Sequence, residues 1–255
     1  MHLSQGRLLT YRAAPYIPVS DMGKIYAGTS GWAYPAWKPG FYPARLASAK
    51  FLGHYGTRLN SVEVNYTFRR YVTPKLLAGW IGATPAGFHF AVKAHQNITH
   101  IKRLREAGEQ TASFIATLDA LREAGKLGPV LFQLPPFLKC DLERLKDFLD
   151  TLPRGTRAAM EFRHISWFAD EVYEALRSAN VALCVVESEK IETPEVATAD
   201  FTYLRLRKAD YSVSARKAIA DRVSSAAKRG DVFVYFKHED TPEGALCAEG
   251  LLRHS

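Results

Sequence analysis

Short apolar runs recur along the chain, and most carry a polar or charged residue near the C-terminal end. They cover residues 25–29, 58–65, 88–94, 130–134, 158–162, 181–186, 201–206 and 232–237. Between most of them lie segments of helical period. Eight strands alternating with helices is the sequence form of a single (β/α)8 TIM-like barrel with parallel strands. The 255 residues match the usual size of one such barrel. Active sites of that fold sit at the C-terminal ends of the strands. The residues to weigh are therefore Glu63, Asn65, Lys93, Gln133, Glu161, Arg163, Glu187, Arg205, Arg207 and Lys237.

Helix starts are legible in several places. Thr73-Pro74 sets an N-cap before a first-turn proline. Asp141 can cap the stripe of Leu142, Leu145, Phe148, Leu149 and Leu152. Ser166 can cap the segment bearing Val172, Ala175 and Leu176. Phe114, Ile115, Leu118 and Leu121 make a further stripe, which Gly125 and Gly128 end before Val130. The rival architecture, an open doubly wound sheet, often carries G-x-G-x-x-G after strand one, and Gly28-Thr29-Ser30-Gly31-Trp32 lacks that spacing. The expected division is an N-terminal extension over 1–23 and one barrel domain over 24–255.

Alternation along a strand decides which side chains can meet. It sets Glu63 and Asn65 opposite Val62 and Val64, and Glu161 and Arg163 opposite Met160 and Phe162. It sets Tyr203, Arg205 and Arg207 opposite Leu204 and Leu206, and Phe233, Tyr235 and Lys237 opposite Val234 and Phe236. With the apolar faces against helices, the polar sets converge in the barrel mouth. Glu63, Glu161 and Lys93 are the candidate acid/base groups. Asn65, Gln133, Arg163, Arg205, Arg207, Lys237 and Trp32 are candidate substrate contacts, with the arginines holding an anion in fork geometry. The bland reading of the same charges is a buried salt-bridge network, with Lys93, Arg163 or Arg205 neutralising the two carboxylates. Lys93 beside cations is also a weak candidate for a Schiff base. A divalent metal is a candidate cofactor, with His100, His164, Glu187 and His238 as speculative ligands, although no H-x-x-x-H or H-E-x-x-H pair occurs. Trp32, Tyr34, Trp37, Phe41 and Tyr42 read first as a packed plug and second as a stacking platform.

A net charge of +8 leans toward an anionic partner, either a small phosphate-bearing molecule or a nucleic acid. Arg69, Arg70, Lys102, Arg103, Arg105, Arg207 and Lys208 follow predicted strands and so fall on the same face. No apolar run is long enough to span a bilayer, and residues 1–23 lack a secretory apolar stretch, so the expected setting is cytoplasmic. Cys140, Cys184 and Cys247 are too few and too dispersed for a disulfide framework or a close zinc pair. The expected activity is that of an enzyme on a phosphate-bearing substrate, with phosphoester hydrolysis on nucleic acid as the leading form. The alternatives are metal-free acid/base chemistry on a sugar or sugar phosphate, and a non-catalytic nucleic-acid-binding module. Oligomeric state is not set by the sequence.

Residues 26–32 (YAGTSGW), 60–68 (NSVEVNYTF), 90–94 (FAVKA), 98–100 (ITH), 128–136 (GPVLFQLPP) and 161–167 (EFRHISW) resemble the YecE-like family, whose function is unknown. The resemblance implies a TIM-like barrel and no settled substrate. Two departures bear on chemistry. Family members commonly carry His-Gly after strand seven and Asn-Asn after strand eight, where this chain has Arg207-Lys208 and Lys237-His238. Both departures add cationic or potentially cationic groups at the functional face.

Overall fold

The computed structural model describes residues 22–188, 192–208, 210–237 and 241–253. Its strands are β1 (Ile25–Thr29), β2 (Ser61–Val64), β3 (His89–Lys93), β4 (Leu127–Gln133), β5 (Ala158–Glu161), β6 (Ala182–Glu187), β7 (Phe201–Leu206) and β8 (Asp231–Phe236). All pair in parallel, in the order β1-β8-β7-β6-β5-β4-β3-β2. Helices α1 (Phe51–Gly56), α2 (Pro74–Ala83), α3 (Gly108–Ala116), α4 (Asp119–Glu123), α5 (Leu142–Asp150), α6 (Asp170–Ser178), α7 (Val213–Ala227) and α8 (Glu243–Arg253) lie between or after them. The TIM-like barrel predicted from the strand pattern is the observed architecture.

Closure is unusual at one seam. Among the described residues, β1 and β2 share no backbone ladder, and side chains stand in for it. Asn60 accepts from Ala27 N–H (2.9 Å) through Oδ1 and donates to Ile25 C=O (2.8 Å) through Nδ2. The buried Tyr55 hydroxyl accepts from Thr29 N–H (2.8 Å) and donates to Ser61 C=O (3.0 Å). Gly28 permits the close approach, since a Cβ there would lie 1.9 Å from Ser61 O. The strand predicted over 58–65 is shorter, Ser61–Val64, with a 3-10 turn over Tyr66–Phe68 after it. Asn60 turns its side-chain amide across the seam while its backbone C=O accepts from His89 N–H at 3.0 Å.

The pleat sorts the core into two. Outward residues such as Val62, Val64, Phe90, Val92, Phe132, Met160, Leu204 and Val234 pack beneath the helices. Inside the barrel Tyr26, Phe201, Tyr203, Phe233 and Tyr235 oppose Ala91, Ala159, Ala182 and Cys184. Bulky rings from β1, β7 and β8 thus fill the space that small residues leave on β3, β5 and β6. Cys140, Cys184 and Cys247 are free thiols, and Cys184 is a barrel-core residue.

Thr73 and Asp141 cap α2 and α5, accepting from Leu76 and Arg144 N–H. Ser166 does not cap a helix, because α6 starts later, at Asp170. Trp167 is buried, stacks on Phe162 at 4.6 Å and donates to Leu138 C=O, which draws Ser166 into a short 3-10 turn. The stripe through Phe114 and Leu121 is split between α3 and α4. Gly128 and Pro129 lie inside β4 rather than before it, opposite a register shift in β3 that tolerates the missing proline donor. Among the described residues no helix links β6 to β7. There Thr198 bonds both Leu183 N–H and Val181 C=O at 2.7 Å. No described helix is long and apolar enough to cross a membrane. The expected extension lies outside the described residues up to Asp21.

Candidate functional site

The strand ends that form the mouth hold two fully buried carboxylates and one guanidinium between them. Arg205, on the inner face of β7, donates from Nη2 to Glu63 Oε1 (2.7 Å) and from Nη1 to Glu161 Oε2. Glu63 also accepts from the Ser30 (2.9 Å) and Tyr203 (2.9 Å) hydroxyls. Glu161 accepts from Arg163 Nε (2.7 Å), and Arg163 Nη2 donates to Gln133 Oε1 (2.9 Å). Arg207 donates to Ser30 Oγ (2.7 Å). Asn65 leans toward Glu63 through Nδ2, while its buried Oδ1 and the buried Nε of Arg205 have no hydrogen-bond partner.

This arrangement fixes the protonation of the acids. Burial works to raise the Glu63 carboxyl, but the charges of Arg205 and Arg207 and the bonds from Arg205 and Tyr203 prevail, holding it at about 2. Glu161 is likewise lowered against its burial, by Arg205 and Arg163. Both are carboxylates at neutral pH. The Arg205 fork proposed for a substrate anion is taken up by protein groups, which realises part of the salt-bridge reading. Lys93 feels the charge of both carboxylates but makes no direct contact with either. Its Nζ lies 4.3 Å from the Phe68 ring centroid, and it has no ion-pair or hydrogen-bond partner among the described residues. Burial and then Arg205 push its pKa down to about 8. Burial and then Arg205 also lower Arg207. Two carboxylates thus meet three guanidinium groups and one amine, a surplus of positive charge.

Of the proposed metal ligands, the three described ones, His100, His164 and Glu187, each have other partners. Among the described residues no group of three or more His, Cys, Asp or Glu side chains could hold a metal ion. Glu187 shares the outward parity of Leu183 and Val185 and pairs with Lys208 (2.8 Å) and Arg222 (3.3 Å). His164 bonds Ser166 at 2.8 Å, and His100 bonds the Thr99 hydroxyl at 2.9 Å. His238 lies outside the described residues. Lys208 is thereby separated from Arg207 in role, despite their adjacency.

Trp37, Phe41 and Tyr42 are buried plug residues, with Tyr42 stacked on Phe51 at 4.2 Å. Trp32 is half-buried and meets Trp80 of α2 edge-on at 5.6 Å. Lys237 follows β8 directly, with its N–H on Leu206 C=O. Two mouth residues escaped the sequence reading. Ser30 continues the inward alternation of Tyr26 and Gly28 one step past β1. Phe68 sits in a 3-10 turn that has no periodic signature.

Relatives share this scaffold. The UPF0759 protein YunF of Bacillus subtilis is 31% identical over 160 residues, covering 59% of this chain and 54% of YunF. The UPF0759 protein YecE of Escherichia coli K12 is 31% identical over 146 residues, 57% of this chain and 50% of YecE. The matched region therefore spans about half the length of these curated relatives. A DUF72 family protein of Thermotoga maritima superposes with TM-score 0.79 at 26% identity, over 90% of this chain and 98% of its own. An AP endonuclease, family 2, from Brucella melitensis superposes with TM-score 0.54 at 11% identity, over 88% and 97%, a likeness of fold alone. With residues 26–254 matching the family described as protein of unknown function DUF72, the chain belongs to the DUF72 family.

Proposed function

We propose that the protein is an enzyme acting on a small phosphate-bearing substrate, held in the barrel mouth by Lys93, Arg163 and Arg207. The observation that carries this reading is the uncompensated charge. Glu63 and Glu161 are committed by hydrogen bonds to Arg205 and Arg163, and among the described residues Lys93 and Arg207 have no carboxylate in direct contact. A phosphate dianion is the complement of that surplus, and guanidinium forks match its oxygens. Lys93 is then the group for proton transfer near neutral pH, since an acid/base works best with its pKa near the operating pH. Glu63 and Glu161 act as anchors that position the arginines. Phosphoester hydrolysis at a carboxylate-bound metal is less well supported, because a cation would have to displace Arg205 or Arg163 from their oxygens.

Calorimetric titration with inorganic phosphate tests the reading. Binding at low salt is expected, weakened about tenfold or more by Arg207→Met or Lys93→Met. No heat of binding at low salt would sink it. A specific surface feature favours a second reading, binding of a nucleic acid strand. Tyr66 and Phe137 are 45% and 63% exposed on the mouth face, with Arg70 and Arg103 over their rings at 5.8 and 5.1 Å. Exposed rings beside cations are what stacked bases require.

A further inference from the structure

Two partly or fully buried lysines in this chain contrast sharply. Lys126 uses all three ammonium protons, donating to Ile81 C=O (2.9 Å), Thr84 C=O (2.6 Å) and Thr84 Oγ1 (2.8 Å). It is a satisfied structural cation. Lys93 has none of these partners, although two carboxylates lie within electrostatic reach, because guanidinium groups already hold both. The Phe68 face, 4.3 Å from Nζ, attracts the ammonium but accepts no directed hydrogen bond, so its three donors go unmet, and once the proton is lost no donor of the described residues ties up the lone pair. The contrast leaves Lys93 as a half-buried lysine with no hydrogen-bond partner among the described residues and a pKa brought down to about 8.

We propose that Lys93 condenses with the carbonyl of its substrate to form an imine, which makes the substrate a phosphate-bearing aldehyde or ketone. This deepens the anion reading and rests on it, with Arg207 and Arg163 holding the phosphate while the carbonyl reaches Lys93. The Nζ lone pair attacks the carbonyl carbon and the C=O π pair moves to oxygen. Both amine hydrogens then leave with that oxygen as water, and the C=N bond remains. No oxidant or reductant is needed. His100, edge-on to the same Phe68 ring at 4.9 Å and lowered by burial and then by Lys93, is placed to carry the protons as a neutral base. A lowered amine pKa next to cations is the usual means of making such a lysine nucleophilic near neutral pH.

The probe is pyridoxal 5′-phosphate, an aldehyde with a phosphate, added to the full chain near pH 8 and fixed by borohydride before peptide mapping. The expected result is preferential labelling of Lys93, suppressed by inorganic phosphate and about tenfold weaker with pyridoxal, which lacks the phosphate. Lys126 should stay unlabelled, and Lys93→Arg should abolish the adduct, since a guanidinium forms no imine. Equal labelling of Lys93 by pyridoxal, indifferent to phosphate, would keep the imine and overturn the anion reading. An unlabelled Lys93 in a chain that still binds phosphate by calorimetry would overturn the imine and keep the anion reading. Label spread over surface lysines with Lys93 not favoured also overturns the imine.

Discussion

At neutral pH the folded chain has to charge Lys93 inside a mouth that already holds three guanidinium groups. Its folded pKa of about 8 lies below the ordinary lysine value of 10.5, so the charged form is disfavoured by folding. The cost is fully present below pH 8, shrinks as pH rises toward 10.5 and is gone above it, amounting to about 3 kcal/mol at most. Lys93→Met should therefore stabilise the protein by roughly 1–3 kcal/mol at pH 7 in phosphate-free buffer, with the gain fading by pH 10.5. Urea unfolding at both pH values checks this, and a gain that does not depend on pH would contradict the account. Arg205 behaves in the opposite sense. Arg205→Met leaves Glu63 and Glu161 buried without their shared partner, at an expected cost of about 3–5 kcal/mol at pH 7. Glu63, held at about 2 against an ordinary 4.5, contributes stability above pH 4.5 that is lost as pH falls toward 2. The difference between wild type and variant should accordingly narrow by pH 3. A difference unchanged at that pH would show that Glu63 is not the titrating partner.

The seam between β1 and β2 is the element on which closure depends. Removing the Tyr55 hydroxyl leaves Thr29 N–H and Ser61 C=O unpaired in a buried place. Tyr55→Phe should cost about 1–3 kcal/mol and speed hydrogen exchange at Thr29 while leaving phosphate affinity unchanged. Unaltered exchange at Thr29 would mean that the seam closes by other means. This is also where sequence reading reached its limit. Strand parity could be read ahead of the structure at Glu63, Glu161, Arg205 and Arg207, because the pleat imposes a period of two and a helix-facing surface must be apolar. The seam could not, since nothing in the local pattern marks Asn60 and Tyr55 as substitutes for backbone. Ser166 failed as a cap because buried Trp167 dictates the turn around it. Glu187 stands at a strand end, but its parity with Leu183 and Val185 puts it on the other surface. The bare amine of Lys93 was equally hidden. Charge counting says that two acids and several bases meet, but not which base is left over.

For the whole molecule, the net charge of +8 predicts general attraction to polyanions, and the mouth face localises it. Arg207 turns inward to Ser30, whereas Lys208 is paired with Glu187. If a single strand of DNA or RNA enters the mouth, Arg207→Ala should reduce the salt slope of binding by about one unit and Lys208→Ala by much less. Fluorescence anisotropy across a salt series reads both. Equal effects would place the strand along the outer rim, and no binding at low salt would leave the small phosphate-bearing substrate alone. The family's scaffold sets where the site lies. Of the two cationic departures after β7 and β8, Arg207 is the residue that reaches the mouth, through Ser30.

The central claim is that the mouth presents an uncompensated amine waiting for an anion. Side-chain NMR of Lys93 across pH, without and then with inorganic phosphate, tests it most directly. The account predicts a midpoint near 8 in the free protein and an upward shift when phosphate supplies the missing negative charge. A midpoint near 10.5, unmoved by phosphate, would contradict it.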